Sequence, residues 1–339
     1  MLFTALCLTF IVFFMTNLYP NLEKLAKSEG NFRMDDAAVQ TMLSNRGYLQ
    51  PLPVKYGQWL GVLPGYVIEG TDDKTRRRCQ LPAMALALED VPKFCGILQG
   101  YWGYSTVFKA EVSSIIATRL SLTAKLMFWV MLLMVPSALL VGVFAGMREG
   151  SRTDRTLSTF AITTTATPEY VSGVIFIAIF SSSAFGLKWF KGTATKAMED
   201  ANLENFLLPV ITIALYGMGY IARMTRASMA EVMTAQYIRT ARLKGVNFRN
   251  IVVKHALRNA LIAPFTVIML QFPWLLNGVV IVETLFNYKG FGWVLVQAAG
   301  NNDIELLLGV SVVSVIVVLV TQLISDIGYV YLNPRIKVT

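Results

Sequence analysis

Long apolar stretches alternate with short polar connections along this chain. A membrane-spanning helix needs about 20 apolar residues, and within lipid only helices and closed barrels satisfy their backbone polar groups. The strict alternation that is typical of barrel strands is absent from the sequence. The pattern therefore predicts an all-α integral membrane protein with six spanning helices, at residues 2–19, 126–147, 156–187, 206–222, 259–282 and 306–325.

The first apolar stretch, residues 2–19, also admits an interpretation as a signal peptide. A signal peptide carries a basic start and a cleavage pattern of small residues. Residues 2–19 contain no Lys or Arg, and no such pattern precedes Tyr19 and Pro20. We therefore expect that residues 1–19 are retained as the first spanning helix.

The charges of the connections predict the orientation in the membrane. Three Arg lie in residues 148–155, eight Lys or Arg lie in residues 223–258, and the tail adds Arg335 and Lys337. The connections on the other side hold four Lys beside several acids. Because short cytoplasmic loops are rich in Lys and Arg, we expect both termini in the cytoplasm.

Residues 20–105 then lie outside the cell membrane, and residues 106–339 hold the other five spans. The outer stretch contains Gly, Pro and aromatic residues without a strong period, which favours a small mixed domain. Cys79 and Cys95 both fall in it, and two cysteines in one exported loop are a candidate disulfide. Such a bond would stabilise the loop by roughly 3 kcal/mol through chain entropy. Two free thiols are the alternative.

Composition supports a membrane protein over a soluble one. The 339 residues are 55% hydrophobic and only 15% charged, whereas a soluble domain carries about 25% charged residues. The net charge of +9 would suggest nucleic acid as the partner of a soluble protein. Basic cytoplasmic loops account for that charge here, so we expect a lipid bilayer and no nucleic acid.

The sequence lacks the common signatures of catalysis. It has no GxxxxGK[ST] phosphate loop, no GxSxG and no HExxH. His255 is its single histidine, which favours neither a metal cluster nor a Cys/His pair. We therefore expect no enzyme activity, no metal and no ATP bound by this chain. The functional classes that remain are passage of a solute across the membrane and signalling.

The long basic connection, residues 223–258, has a helix–Gly–helix pattern at its centre, RTARLKGVNFRN. Ala241 and Gly245 are four residues apart, so on one helix they would share a face. Arg239, Arg242 and Lys244 would surround these small residues with positive charge. The pattern predicts a short helix that inserts into a groove of a partner. A helix lying on anionic lipid is the alternative.

The same connection resembles the membrane permeases of bacterial ATP-binding-cassette (ABC) importers for dipeptides, oligopeptides and nickel. Their shared loop, E-A-A-x-x-x-G, is represented here by Arg239, Thr240, Ala241 and Gly245. The HALRNAL segment that follows is similar to the peptide-importer branch. Further similarities are VETLFNYKGFG at residues 282–292, NPRI at 333–336, PLPVKYGQWLGVL at 51–63 and GYS at 103–105.

The resemblance implies the permease fold of type I ABC importers, with six transmembrane helices in the bacterial inner membrane. It implies a second homologous permease, two nucleotide-binding ATPase subunits that hold ATP and Mg²⁺, and a periplasmic substrate-binding protein. It implies contact with an ATPase subunit through a coupling helix, whose residues are Arg239, Thr240, Ala241, Arg242, Lys244, Gly245 and Asn247. It implies a periplasmic gate at Glu283, Tyr288, Gly290 and Gly292.

Three polar residues within the predicted spans are candidates for the substrate pathway. Glu169 follows Pro168 inside the third span, where a carboxylate costs several kcal/mol unless it is paired or faces water. Gln271 and Asn277 lie in the fifth span, and bonding between helices is the commoner use of such residues. The alternative for Glu169 is that Pro168 marks a break in the helix and that Glu169 lies at an interface or pairs with a helix of the partner permease.

The cargo implied by the resemblance is a peptide, moved by alternating access. Dipeptides, longer peptides, nickel chelates and opine-like conjugates all use permeases of this kind. An ion-driven secondary transporter or channel is the main rival class. It predicts inverted repeats and several charges within the membrane, and Glu169 is the one such charge in the predicted spans. A membrane-anchored sensor would need a cytoplasmic output domain.

Overall fold

The computed structural model describes residues 2–69, 75–78, 92–183 and 187–332. At residues 2, 272–278, 329, 331 and 332 it describes the backbone alone. The described chain is mostly helical, as the apolar pattern predicts. It divides into two compact units. Unit 1 is Met1–Leu120 with Val294–Ile316, and unit 2 is Ser121–Trp293 with Val317–Thr339.

The elements follow one another in chain order. The first part of the chain holds α1 (Leu2–Thr16), α2 (Tyr19–Glu29), α3 (Asp36–Asn45), α4 (Leu52–Leu60), β1 (Val67–Glu69) and β2 (Thr75–Arg77). The long helices begin with α5 (Val112–Gly146), α6 (Arg152–Ala166), α7 (Glu169–Phe180) and α8 (Leu203–Thr234). The remainder is α9 (Gln236–Leu243), α10 (Phe248–Asn250), α11 (Leu257–Ala260), α12 (Ile262–Leu285), α13 (Phe291–Gly300) and α14 (Ile304–Leu332).

Side-chain caps fix several helix starts. The Asp35 carboxylate accepts a hydrogen bond from the Ala38 amide at 3.0 Å, and the Ser151 hydroxyl accepts one from the Asp154 amide at 3.1 Å. Asn202 begins α8 with a capping box shared with Asn205. Each cap satisfies amides that would otherwise lack partners at the first turn. The local sequence therefore determines where α3, α6 and α8 begin.

Unit 1 contains α1–α4, a hairpin and portions of three longer helices. Strands β1 and β2 are antiparallel, with Ile68 opposite Arg76. The hairpin is small, and the core lies among helices. That core consists of Phe13, Leu22, Leu25, Ala26, Val39, Leu43, Trp59, Ile304, Leu308 and Val312. The predicted outer domain, residues 20–105, thus shares one compact unit with α1 and with residues 294–316, and the predicted boundary at residue 19 falls at the start of α2.

Unit 2 is built around α8. This helix packs against α6, α7 and α12, and 72% of its most apolar window is buried. An amphipathic helix buries one face only, whereas α8 buries residues on most of its circumference. The apolar core of the unit includes Leu126, Val130, Met134, Ile213, Ile221, Val282 and Phe286.

The spans differ from the prediction in their continuity. In the described residues, three helices are long and apolar enough to cross a membrane: Val112–Gly146, Leu203–Thr234 and Ile304–Gly328. Three further candidates are bent pairs: Phe3–Thr16 with Tyr19–Glu29 at 59°, Arg152–Ala166 with Glu169–Phe180 at 103°, and Phe248–Ala260 with Ile262–Gln271 at 52°. Up to six spans result if each pair counts once.

Residues 156–187 contain two helices, α6 and α7, and the break between them lies at Pro168, as the alternative given for Glu169 predicts. α6 ends at Ala166, Thr167 is extended (φ −94°, ψ 119°), and α7 starts after Pro168. The proline ring clashes with a helical conformation of the residue before it. α6 therefore ends before Pro168, and α7 continues at 103° to it. Glu169 lies at the beginning of a helix instead of its middle.

Candidate functional site

The basic connection folds as predicted into a short helix followed by a glycine turn. α9 spans Gln236–Leu243, and Gly245 adopts φ +75°, a left-handed conformation that a glycine accepts at little cost. The turn is closed by hydrogen bonds from the Gly245 amide to the Arg242 carbonyl at 3.0 Å and from the Val246 amide to the Ala241 carbonyl at 3.2 Å. Gly245 therefore ends α9.

The two faces of α9 have different surroundings. Ile238 is fully buried and Ala241 is 8% exposed, and both pack on Met229, Ile251 and neighbouring apolar residues. The opposite face is exposed and carries Arg239, Thr240, Arg242 and Leu243, followed by Lys244, Gly245 and Asn247. Leu243 is 81% exposed.

The predicted small-residue patch of Ala241 and Gly245 is wrong in its geometry. Ala241 faces the apolar cluster of its own unit, and Gly245 lies beyond the last residue of α9. The spacing of four residues indicates a shared face only where a helix continues through both positions. The exposed feature is instead Leu243, which is flanked by Arg239, Arg242 and Lys244. We name this exposed set the α9 surface.

A π-helical turn follows α9. The Asn247 side chain accepts a hydrogen bond from the Arg249 amide at 3.0 Å, and α10 then leads into a π-helical segment at Ile251–Ala256. Single π turns within helices are rare and often lie at functional sites. Ile251 and Val252 are buried against the same cluster as Ile238. The turn thus belongs to the packing that supports α9.

An ion pair ties α6 to α8 near this region. The Arg226 guanidinium donates to both carboxylate oxygens of Asp154, at 3.0 and 2.8 Å. Asp154 also accepts from the Gly150 amide at 2.9 Å and from the Ser158 hydroxyl at 3.0 Å. Its side chain is 4% exposed. Two-point bonding of this kind is among the strongest polar contacts in proteins.

The predicted gate residues come together around a buried carboxylate. Glu283 is fully buried near the end of α12. One of its oxygens accepts a hydrogen bond from the Thr123 hydroxyl of α5, and the other accepts from the Trp293 amide at 2.9 Å. The Thr123 oxygen in turn accepts from the Phe291 amide at 2.7 Å. We name Thr123, Glu283 and these two amides the Glu283 clamp.

Tyr288 and the two glycines complete the turn between α12 and α13. Tyr288 is fully buried, and its hydroxyl donates to the Leu122 carbonyl at 2.9 Å. A Cβ atom at Gly290 would lie 2.1 Å from a Glu283 oxygen, and one at Gly292 would lie 2.7 Å from the Val280 Cα. Both glycines are therefore required by close packing in the structure.

Two of the three candidate pathway residues, Glu169 and Gln271, are buried. Glu169 is 8% exposed, and its Oε1 atom has no hydrogen-bond partner in the described part of the chain. As the first residue of α7 its carboxylate lies at the positive end of the helix dipole. Gln271 is buried on α12. The side chain of Asn277 lies outside the described residues.

These sites also contain residues that were not singled out from the sequence: Thr123, Asp154, Leu243, Phe291 and Trp293. Thr123 and Glu283 are 160 positions apart, so no local motif links them. The acidic Asp154 interrupts a basic loop, which is the one signal the sequence offers. Among residues the structure describes, no group of His, Cys, Asp and Glu could hold a metal ion.

The predicted disulfide involves one residue that the structure does not describe. Cys95 is disulfide-bonded and buried, and Cys7 is free. Cys79 lies outside the described residues, so its pairing with Cys95 stays a prediction.

Comparison with known proteins identifies similar sequences along most of the chain. Residues 138–338 match a family model described as the binding-protein-dependent transport system inner membrane component. The oligopeptide transport system permease protein AppB of Bacillus subtilis is 33% identical over 250 residues, which are 71% of this chain and 77% of that protein. A Brucella ovis protein assigned as a peptide permease is 28% identical over 98% of this chain and 95% of its own length.

A protein of Sinorhizobium fredii is also similar. It is assigned as a peptide ABC transporter permease and is 33% identical over 244 residues, 71% of this chain and 77% of that protein. The family match includes α6–α12 and therefore both the α9 surface and Glu283.

Proposed function

Since the chain belongs to the family of binding-protein-dependent transport system inner membrane components, we propose that it is the permease subunit of an ATP-driven importer of di- or oligopeptides. Relatives named as peptide permeases, at 28–33% identity, support the substrate class. The family supplies the membrane subunit of ABC transporters, whose ATPase is on separate subunits. The chain itself carries no catalytic step.

The observation that carries the coupling mechanism is the α9 surface. Leu243 is 81% exposed beside three basic side chains, while the opposite face of α9 is packed in the protein. Exposed large apolar residues within a polar rim are typical of protein interfaces. We infer that ATPase subunits bind here through Arg239, Thr240, Arg242, Leu243, Lys244, Gly245 and Asn247. Ala241 supports this surface from inside.

Packing gives a route from α9 to the spans. α9 follows α8 after one residue, Ala235, and rests on the π-helical turn that leads into α11 and α12. Movement of α9 would therefore act on both α8 and α12. ATP binding and hydrolysis on partner subunits, which hold Mg²⁺, would then drive alternating access. The Glu283 clamp, with Tyr288, Gly290 and Gly292, would form the outer gate.

The proposed assembly contains four kinds of component. They are this chain, a second homologous permease, two ATPase subunits and a periplasmic substrate-binding protein, all at the bacterial inner membrane. In this proposal, six spans of the type I importer fold and cytoplasmic termini would put residues 223–258 on the same side of the membrane as the ATPase. The eight basic residues of that stretch support this side of the membrane.

Replacing Leu243 by Ser tests the coupling. We expect at least a tenfold loss of peptide uptake and of peptide-stimulated ATP hydrolysis in the reconstituted complex, because the partner would lose an apolar anchor. The melting temperature of the purified permease should stay unchanged, since Leu243 contributes little to the packing of α9.

Phe32→Ser is the matched control, because Phe32 is 80% exposed in the connection between α2 and α3. It should keep full uptake and full ATP hydrolysis. Wild-type uptake and hydrolysis in Leu243→Ser would refute the proposed contact.

Glu169 is proposed as a pathway residue that attracts the cationic group of a peptide, with Gln271 and Asn277 lining the same path. Its buried, unpartnered Oε1 atom supports this role. Replacing Glu169 by Gln keeps the shape and removes the charge. We expect at least a tenfold loss of peptide uptake with normal assembly. Unchanged uptake of both basic and neutral peptides would refute the proposed role of Glu169.

A further inference from the structure

Unit 1 contains a polar cavity that the proposed transport mechanism does not use. Its volume is about 430 Å³, within the range of small-molecule sites. It is lined by arginines, tyrosines and two carboxylates, among them Arg46, Arg78, Tyr66, Tyr101 and Glu305. A smaller cavity, of about 40 Å³, shares these residues except Tyr101 and continues towards Trp59. Arg78 and Glu305 therefore lie where the two cavities meet.

The wall that carries Glu305 is held in place by hydrogen bonds. Asp303 is fully buried and accepts from the Ser105 hydroxyl at 2.5 Å, from the Val107 amide at 3.2 Å and from the Leu306 amide at 3.2 Å. These bonds join the start of α14 to the segment around Gly103. Gly103 has φ +91°, and a Cβ atom there would lie 2.5 Å from the Glu305 Oε2 atom. The Glu305 carboxylate therefore packs directly against the backbone at Gly103.

Two opposite charges in this cavity have unsatisfied polar atoms. Arg46 forms an ion pair with Glu29, so those two charges compensate one another. The buried Nε and Nη2 atoms of Arg78 and the buried Oε2 atom of Glu305 have no hydrogen-bond partner in the described part of the chain. A buried polar group without a partner is unfavourable, and more so when it is charged. A ligand that bonds to both would remove that cost.

The tyrosines supply neutral donors around these charges. Burial raises the pKa of Tyr101 to about 12, and burial also raises the pKa of Tyr48 and of Tyr66. Their hydroxyls therefore remain protonated at neutral pH and can donate to an oxygen acceptor.

The charges decide between classes of ligand. An inorganic anion would satisfy Arg78, but it would leave the Glu305 oxygen without a donor and would be repelled by it. A simple cation would satisfy Glu305 and be repelled by the arginines. A molecule with a carboxylate and an ammonium group satisfies both at once, through charge-assisted hydrogen bonds.

We propose that this cavity is a binding site for a zwitterion, a free amino acid or a short peptide, with the ligand carboxylate on Arg78 and its ammonium group on Glu305. The residues of this site belong to unit 1, whereas Glu169 and Gln271 belong to unit 2. It is an additional site, and its occupation requires neither ATP nor transport. A result that refutes this binding site would therefore leave the proposed transport function untouched, and the reverse also holds.

Calorimetric titration of the full-length chain in lipid nanodiscs, without ATP or partner subunits, tests the site with di-alanine as the probe. N-acetyl-di-alanine lacks the ammonium group, and di-alanine amide lacks the carboxylate. We expect each capped peptide to bind at least tenfold more weakly than di-alanine, as the loss of one charge-assisted bond implies. Equal binding of the three peptides, or no binding of any, would overturn the proposal.

Two variants test which residue binds the ammonium group of the ligand and which binds its carboxylate. In Glu305→Gln, di-alanine and its acetylated form should bind equally, because the partner of the ammonium group is gone. In Arg78→Gln, di-alanine and its amide should bind equally. Arg33→Gln removes an exposed arginine of the same unit and should behave as the wild type. Full discrimination by both cavity variants would place the peptide elsewhere and refute the site.

A folding defect in one variant does not remove the test, because the capped peptides are compared on the wild-type chain as well. Melting temperatures of the three variants identify such a defect. Arg78→Lys should keep part of the discrimination against the amide, because it retains the charge and loses two-point geometry. A merely structural arginine would give no such dependence on the ligand's carboxylate.

Discussion

Two single buried residues, Asp154 and Glu283, fix the positions of the segments around them. Asp154 accepts four hydrogen bonds, from Arg226, Gly150 and Ser158. Glu283 accepts from Thr123 and from the Trp293 amide. Burying a charge is costly unless each of its lone pairs finds a donor. Each carboxylate therefore holds segments that are distant in sequence at one position.

Thr123 is the residue on which the Glu283 clamp depends. Thr123→Val keeps the shape, but it removes the hydroxyl that donates to Glu283 and accepts from the Phe291 amide. We expect a loss of about 1–3 kcal/mol in unfolding free energy, measured as a lower melting temperature, together with reduced peptide uptake. The control is Thr212→Val, because Thr212 is equally buried and its hydroxyl bonds only to the Leu208 carbonyl of its own helix. Equal effects of both substitutions would contradict the clamp.

Only some of these residues can be identified from the sequence alone. The resemblance implied a gate at Glu283, Tyr288, Gly290 and Gly292, and the structure brings these four residues together. Their role as a gate stays a prediction. Thr123 could not be found, because its partner is 160 residues away and a threonine within an apolar helix carries no signal of its own. The charges in the cavity of unit 1 were likewise invisible, since tertiary packing alone brings Arg78 to Glu305.

At the scale of elements, α9 shows what a local pattern can and cannot specify. The charges and the glycine predicted a short helix and a turn, and both are confirmed by Gln236–Leu243 and Gly245. The inward position of Ala241 depends on α8 and the π-helical turn, which the pattern does not include. The break at Pro168 has a local cause, but the 103° angle between α6 and α7 depends on the helices that surround them.

The glycine that ends α9 provides a test of this element. Gly245→Ala places a Cβ atom in open space, so crowding is absent, but the φ of +75° is strained for alanine. We expect a loss of about 1 kcal/mol, read as faster amide exchange in α9 and weaker peptide-stimulated ATP hydrolysis.

Gly300→Ala is the matched control, because its Cβ atom also meets open space and its φ lies outside the left-handed region. It should leave exchange in α9 and ATP hydrolysis unchanged. An α9 that exchanges at the wild-type rate in Gly245→Ala would mean that the turn tolerates a side chain there.

At the scale of the whole molecule, the family match and the α9 surface point to a protein driven by separate subunits. The family match covers residues 138–338, which include every element that supports α9. We propose that a partner subunit covers the exposed α9 surface. The unit that contains residues 20–105 offers a different chemistry, with arginines and tyrosines around Glu305.

Cysteine cross-linking in the assembled transporter tests the central claim most directly. Leu243→Cys and Val67→Cys would be made separately in a Cys7→Ser background, since Leu243 is 81% and Val67 is 58% exposed. A short bifunctional maleimide should link position 243 to an ATPase subunit and abolish ATP-driven peptide uptake, while position 67 gives no such product. A link from position 67 to the ATPase, or full uptake by a preparation cross-linked at position 243, would contradict coupling through α9.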